Sequence, residues 1–411
     1  VMKATKPVLG IISTWFERGA THVSLAYIAA LQERFTIRVY ARAGDEFPHN
    51  DPKWAQDFVH WGEFLPGALR TTIDWNDFSA WMKRENPAYL LFNEQHSWDV
   101  IHRLLGLKDR PLIGAYIDYY TDSTTPFFAH YDFLLCNTKR HYSVFEHLPG
   151  AMYVPWGVDL SLYSSPERAE RGFRFFHSLG YNPDRKGTDL CVKAFKRLPN
   201  EDIQLILHAQ RPLSDFPELQ TAVESDQRIV WINKEVPPPG LYHEGDWYVY
   251  PSRLDGIGLS LPEALASGLP AIVPDEAPMN EFINEGENGF RVSVEKHWKR
   301  EDQYYWPMNE VNVEALSNAM QRAVDDREQL ESWQQRTLLH ADEQLDWKKN
   351  AQHLGTALEK VEKRPIDKQL FQESLAFEHR QQPNLTFKHK MHRFLIKLGA
   401  RQIKRAIFGR S

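Results

Sequence analysis

The stretch that most constrains this chain runs from Pro251 to Pro274, PSRLDGIGLSLPEALASGLPAIVP. It reads as a loop leaving a strand that ends at Tyr250, a short helix carrying Glu263, a stop at Gly268, and a buried strand from Ala271 to Val273. Ser260 is placed as N-cap, Pro262 fits the first turn, and Gly268 suits the position just past the helix end. Gly256 and Gly258 let a ligand come close to free backbone N–H groups at the helix start, a seat that suits an anion and most naturally a phosphate. Asp255 and Glu263 flank that seat. Carboxylates repel phosphate, so their natural partners are hydroxyl groups on either side of it. The spacing leaves a second reading open. Ser260-Leu261-Pro262-Glu263 is also a capping box, with the glutamate returning to the helix start, and Asp255-Gly256 is also an ordinary turn.

A chain of 411 residues is too long for one small core and is expected to form two domains with extras. Its 42% hydrophobic and 25% charged residues are those of a soluble globular protein. No apolar run approaches the roughly 20 residues that span a bilayer, and Val8 to Ile12 is too short for the core of a signal peptide. Cys136 and Cys191 both lie in apolar surroundings, which fits core packing in a reducing compartment better than a disulfide or a metal site. A cytoplasmic protein is the expectation.

The net charge of −6 conceals an asymmetry, because eight basic residues and no acid follow from Lys388 onward. The acidic body argues against a nucleic-acid partner. In the tail, Phe387, Met391, Phe394, Leu395, Leu398, Ile403 and Ile407 recur at helical spacing between lysines and arginines. Residues 387–411 therefore read as an interfacial helix on an anionic membrane, where each basic residue near the surface contributes about 1 kcal/mol. A partner-docking helix or a solvated end fits the same pattern.

Val8 to Ser13, a loop with Gly19, a helical pattern from His22 to Arg34 and the strand Thr36 to Ala41 form the opening of a doubly wound α/β domain. Gly19 would let a phosphate or sugar approach, and it reads equally as a plain loop glycine. Two buried strands, Tyr89 to Phe92 and Leu112 to Ile117, run into polar residues: Asn93, Glu94, Gln95 and His96 after the first, Asp118 and Tyr119 after the second. Strand ends are where such domains bind ligands, so these are acceptor-site candidates, with His96 the most ordinary of them. Trp54, Trp61, Trp75 and Trp81 offer faces for sugar rings, although tryptophans in such a region are mostly core. Farther on, the strand Phe173 to Gly180 leads through Arg185 and Lys186 into the helix Thr188 to Arg197. A guanidinium fork and a point charge in a strand-to-helix loop can neutralise a pyrophosphate without a metal, and they can equally be a solvated pair.

The Pro251–Pro274 string resembles the donor-site signature of retaining GT-B glycosyltransferases of the GT4 type (glycosyl transferases group 1), E-G-F-G-L-x-x-x-E-A-x-A-x-G-x-P. Gly256, Gly258, Leu259, Glu263, Ala264, Ala266, Gly268 and Pro270 are in register, with Asp255 in place of glutamate and Ile257 in place of phenylalanine. Arg185-Lys186-Gly187 is similar to the family's R-x-x-x-K-G element, and Glu17 to Val23 to its first glycine loop with one glycine missing. Val154 to Asp159 resembles the N-G-V-D segment, with Trp156 in place of asparagine. Asp118 stands near the place where the family often has a histidine, and the usual G-G-x-x-E loop is replaced by Glu276 to Glu281 without glycines.

The resemblance implies an α/β chain of GT-B type: two Rossmann-like doubly wound domains facing a central cleft, with a basic helical tail. Its parts would be an acceptor domain at 1–165, a donor domain at 166–345, a crossover helix at 346–362 and the tail at 363–411. It also implies a metal-independent transfer from a UDP or GDP sugar, with no cofactor, to a glycan or lipid-linked acceptor of cell-envelope polysaccharide. Glu263 would bind ribose hydroxyls and Asp255 the hydroxyls of the sugar. Gly256, Ile257, Gly258 and Leu259 would offer N–H groups to phosphate, Arg185 and Lys186 would neutralise the leaving diphosphate, and Asp118 would stand in for the histidine. Two other classes compete. A nicotinamide oxidoreductase would need a G-x-G-x-x-G turn, which Ser13 to Gly19 lacks. A non-catalytic sugar-nucleotide or glycan-binding subunit with the same fold would show neither transfer nor donor hydrolysis.

Overall fold

The structure is a computed structural model that describes residues 6–42, 51–65, 71–163 and 172–381. The chain divides into two compact units. The first comprises Val1–Cys136, Phe145–Met152 and His353–Ser411, and the second Asn137–Val144 and Tyr153–Gln352. The boundary expected at 165/166 lies outside the described residues.

The first unit is built on seven strands: β1 (Val8–Ser13), β2 (Thr36–Ala41), β3 (Val59–Trp61), β4 (Tyr89–Asn93), β5 (Leu112–Tyr116), β6 (Phe133–Cys136) and β7 (Ala151–Tyr153). They lie in the order β3-β2-β1-β4-β5-β6-β7, and β1 pairs in parallel with both β2 and β4. Near-continuous apolar strands such as VLGIIS and FLLC are buried along almost their whole length, as a sheet covered on both faces requires. The chain steps outward from β1 and then returns to β4 on the other side, so the switch point lies between β1 and β4. Trp54 and Trp81 are core residues.

The first helix spans Gly19–Leu31, three residues ahead of the expected start at His22. The Arg18 carbonyl already accepts the N–H groups of Thr21 and His22, at 3.1 and 3.3 Å, so Gly19 is the exposed first residue of a helix and not a loop glycine.

The C-terminal segment differs more. In place of one crossover helix at 346–362 there are two short ones, Trp347–Asn350 and Leu354–Leu358, and the division between the units falls between them. The second packs on the Gly19–Leu31 helix, where a Cβ on Gly355 would lie 2.5 Å from Arg34 Cδ. Residues up to 381 are not tail. The helix Lys368–Gln381 docks on the first unit through Ser374, whose hydroxyl meets the rings of His102 and His130 at 2.8 and 2.9 Å. One turn on, Glu378 is 2% exposed and accepts from Ser97 Oγ at 2.6 Å and the Trp98 N–H at 3.0 Å. The amphipathic pattern at 387–411 lies outside the described residues. No described helix is long and apolar enough to cross a membrane.

The second unit repeats the plan with β8 (Phe173–Gly180), β9 (Ile203–Ala209), β10 (Ile229–Asn233), β11 (Trp247–Val249), β12 (Ala271–Pro274) and β13 (Gly289–Val292), in the order β10-β9-β8-β11-β12-β13. β8 pairs in parallel with β9 and β11. Phe175, Leu205, Val249, Ile272, Met320 and Trp333 belong to its core. A hairpin of β14 (Val294–Trp298) and β15 (Met308–Val311) follows. Within β8, His177 is fully buried, its Nδ1 2.7 Å from the Val249 carbonyl and its Nε2 2.9 Å from Thr188 Oγ1.

Two stability measurements test this packing. Glu378→Ala removes two hydrogen bonds to a buried carboxylate and should cost about 2–3 kcal/mol in thermal or urea unfolding, whereas Glu373→Ala on the exposed side of the same helix should cost less than about 0.5 kcal/mol. Burial lowers the pKa of His177 to about 4, so the unfolded chain takes up a proton near 6.5 that the folded ring refuses. Stability should fall as pH drops from 6.5 to 4, by at most about 1.4 kcal/mol per pH unit for this ring. Melting curves of His177→Gln should be flatter than wild type across that window.

Candidate functional site

The loops that follow β8 and β11 leave adjacent strands at the switch point of the second unit. They meet at Gly187, where φ is +68° and a Cβ would lie 2.0 Å from the Pro251 carbonyl oxygen. Only glycine satisfies both conditions. The same residue heads the helix Thr188–Phe195. Because the loops touch there, the preceding Lys186 lies against the start of the second loop.

Lys186 Nζ is 2.9 and 3.0 Å from the two Asp255 carboxylate oxygens and 2.5 Å from the Tyr250 hydroxyl, and it sits 4.8 Å from the centre of the Tyr250 ring. Asp255 is 6% exposed. Its Oδ2 also accepts from the Tyr250 hydroxyl and Ser252 Oγ, each at 2.6 Å. Burial works to raise this carboxyl, but the charges of Lys186 and Arg185 and the bonds from Ser252 and Tyr250 outweigh it and hold the pKa at about 2. Burial lowers the Lys186 ammonium, with Asp255 opposing the shift. Arg185 is half-exposed, its guanidinium 3.9 Å from Asp255 Oδ1. Its carbonyl accepts the Arg253 N–H at 2.8 Å, and the buried Arg253 guanidinium is held by Asp189 and Glu310.

Gly258 has φ +81°, and a Cβ there would lie 3.4 Å from the Tyr250 ring. Ile257 is buried, and Leu259, already at helical angles, occupies the cap position of the helix Ser260–Ala266. Ser260 is therefore not the N-cap, and its hydroxyl instead accepts from Tyr248 at 2.9 Å. The capping box does not form. Glu263 accepts from the Tyr242 hydroxyl at 2.6 Å and from Tyr163, and burial together with this carboxylate raises both phenols. The helix stops as expected: Gly268 at φ +77° donates to Leu265 O at 2.9 Å and Leu269 to Ala264 O at 3.0 Å.

Carbonyl groups of the glycine loop are held from the segment that follows β6. The Arg140 guanidinium donates to Asp255 O, and His141 Nε2 lies 3.2 Å from Gly256 O. In the loop without glycines, Glu281 accepts the N–H groups of Lys139 and Arg140 at 2.6 and 2.8 Å.

The second unit thus brings together Arg185, Lys186, Asp255, Gly256, Ile257, Gly258, Leu259 and Glu263. Gly19 and Asp118 belong to the first unit, Asp118 half-buried just beyond the end of β5. Of the other strand-end candidates there, Asn93 donates to Ala20 O and Ser24 Oγ, and Gln95 accepts from the buried Arg42. Glu94 pairs with Arg18 at 3.0 Å, and the His96 ring lies tilted against Tyr119 with ring centres 4.4 Å apart. Sequence reasoning missed Tyr163, Tyr242, Tyr250, Ser252, Arg140 and His141. Tyr250 had a signal: it lies two residues after Tyr248 at a strand end, which places both hydroxyls on one face.

Residues 173–326 match the family described as Glycosyl transferases group 1. A stretch of 155 residues is 31% identical to the lipopolysaccharide core biosynthesis mannosyltransferase LpcC of Rhizobium leguminosarum bv. viciae, covering 34% of this chain and 44% of that protein. The chain thus spans less than half the length of that curated relative. Among solved structures, Anabaena Alr3699/HepE in complex with UDP is similar with a TM-score of 0.67 at 14% identity, over 86% of this chain and 100% of that one. Sucrose-phosphate synthase of Thermosynechococcus elongatus is similar with a TM-score of 0.66 at 14% identity, over 86% and 99%. The segment 173–326 is accordingly a domain of the glycosyl transferases group 1 family, carried by a chain whose two Rossmann-like units have the GT-B fold.

Proposed function

We propose that this chain is a retaining glycosyltransferase that moves a hexosyl group from a nucleoside diphosphate sugar to a glycan or lipid-linked glycan of the cell envelope. The observation that carries the reading is the Lys186–Asp255 pair at the switch point of the second unit, beside the glycine loop and Glu263. The similarity to a lipopolysaccharide core mannosyltransferase supports the envelope acceptor, and the UDP held by HepE supports a UDP or GDP sugar as donor.

In this reading the glycine-loop N–H groups seat the phosphates and Glu263, oriented by Tyr242, accepts the ribose hydroxyls. Asp255 Oδ1, which accepts from Lys186 at 2.9 Å, faces the sugar hydroxyls. As the bond from the anomeric carbon to the diphosphate breaks, negative charge builds on the leaving oxygens. Lys186 and Arg185 compensate it, so no metal is required. The departing phosphate takes the acceptor's proton on the same face, which preserves the anomeric configuration. Asp118 is assigned to the acceptor in the first unit. The protein would work in the cytoplasm, with residues 387–411 attaching it to an anionic membrane surface.

A thermal-shift screen of UDP, GDP, ADP and their sugars identifies the donor, because binding to the folded state raises the melting temperature with affinity. Lys186→Ala should lower turnover at least 100-fold and shrink the nucleotide-induced shift. Turnover within threefold of wild type would remove Lys186 from the mechanism. Nucleotide binding with neither transfer nor donor hydrolysis would instead identify a non-catalytic binding subunit.

A further inference from the structure

The Lys186 ammonium has three N–H donors, and its three acceptors are all protein atoms: Asp255 Oδ1, Asp255 Oδ2 and the Tyr250 hydroxyl. The Asp255 carboxylate accepts four hydrogen bonds in turn, three on Oδ2 and one, from Lys186, on Oδ1. A diphosphate at the glycine loop can therefore engage Lys186 only by drawing donors away from Asp255. Sugar hydroxyls can fully engage Asp255 only where lysine has let go. The two demands have one solution.

We propose that Asp255 and Tyr250 form a built-in counter-ion for Lys186, and that the donor's diphosphate exchanges with it. The ammonium turns from carboxylate to phosphate, and the carboxylate oxygens it leaves become acceptors for the sugar hydroxyls. Tyr250 is the positioning residue. Its hydroxyl and that of Ser252 both donate to Oδ2, so the carboxylate stays in place while lysine leaves, and the Tyr250 ring face gives the moving ammonium a surface to pass over. Gly258 runs beside that ring at φ +81°, a backbone conformation that favours glycine. The exchange makes phosphate recognition and sugar recognition one coupled event. It also sets a threshold: an anion that leaves Asp255 without hydroxyl partners pays for breaking the pair and gains nothing from the freed carboxylate. The inference rests on the nucleotide-sugar reading and adds to it a competition inside the protein.

Calorimetric titration of UDP, GDP and ADP, and of the sugar of whichever binds, separates the two. Asp255→Asn removes the competing charge, so the bare nucleoside diphosphate should bind about tenfold tighter than to wild type, while the extra affinity contributed by the sugar and the transfer activity are lost. If Asp255 were only a sugar contact, affinity for the bare diphosphate would not change, and an unchanged or weaker affinity in a folded variant overturns the exchange. Tyr250→Phe keeps the ring and loses the hydroxyl. It should bind the bare diphosphate two- to threefold tighter and keep the donor KM at or below the wild-type value, while kcat falls about tenfold. A merely structural hydroxyl would shift the melting temperature and leave both constants alone. Should Asp255→Asn fail to fold, bare-diphosphate affinity of Tyr250→Phe equal to or below that of wild type overturns the proposal. Failure of wild type to bind any of the three nucleotides overturns the donor reading, and the exchange with it.

Discussion

A lysine and an aspartate buried against each other are the constraint on which the site of the second unit depends. Removing two such charges from water costs several kcal/mol each, and their attraction offsets this only where the remaining lone pairs and protons are satisfied. Here Tyr250 and Ser252 supply those bonds, and Arg185 adds a second positive charge at 3.9 Å. The pair exists at all because the two loops approach to backbone contact at Gly187, where a methyl group would lie 2.0 Å from the Pro251 carbonyl. A residue with a side chain there would separate the loops and carry the lysine away from its partner. The glycine that ends the β8 loop is thus part of the electrostatics.

Around this pair the chain uses phenols as fixed donors. Tyr242 meets Glu263, Tyr248 meets Ser260 and Tyr250 meets Asp255, while the rings of Tyr248 and Tyr250 stack at 5.4 Å. A tyrosine has few rotatable bonds, so it can direct a hydroxyl at little entropic cost when its ring is packed. Burial raises all three phenols, keeping the protons on them. The acidic residues are consequently oriented by neutral donors, while Lys186 and Arg185 bring positive charge to the Asp255 carboxylate.

Much of this was legible in the sequence, and the failures share a cause. Gly268 read correctly because its reason is local, and it ends its helix with the expected pair of bonds; near-continuous apolar runs marked the buried strands of both sheets. Ser260 was misread because capping is decided by what else competes for the hydroxyl, and Tyr248 is that competitor. The helix Lys368–Gln381 was misread as tail for a related reason. The residues that dock it include Ser374 and Glu378, which apolar periodicity counts as surface, and their partners Ser97, His102 and His130 are more than 240 positions away. Polar burial is paid for by specific long-range partners, which spacing along the chain does not encode.

The same argument explains why the two units differ in what their sequences disclose. Both place polar residues at the end of a central strand beside a switch point. In the first unit Glu94 pairs with Arg18, but the buried residues are closed off by bonds that go to main chain or to neutral side chains: Asn93 to Ala20 O and Ser24, Ser24 to Ser13, Arg42 to Gln95 and to the carbonyls of Asn93 and Glu94. Such bonds stabilise one arrangement and have little to exchange with a ligand. In the second unit the corresponding place holds opposite charges, each of which a substrate bearing phosphate and hydroxyl groups could satisfy in the other's stead. A motif that must leave its partners exchangeable is restricted in residue type at nearly every position. A motif that only fills a strand end is not, and this is why the glycine loop of the second unit could be read residue by residue while the first unit offered only candidates.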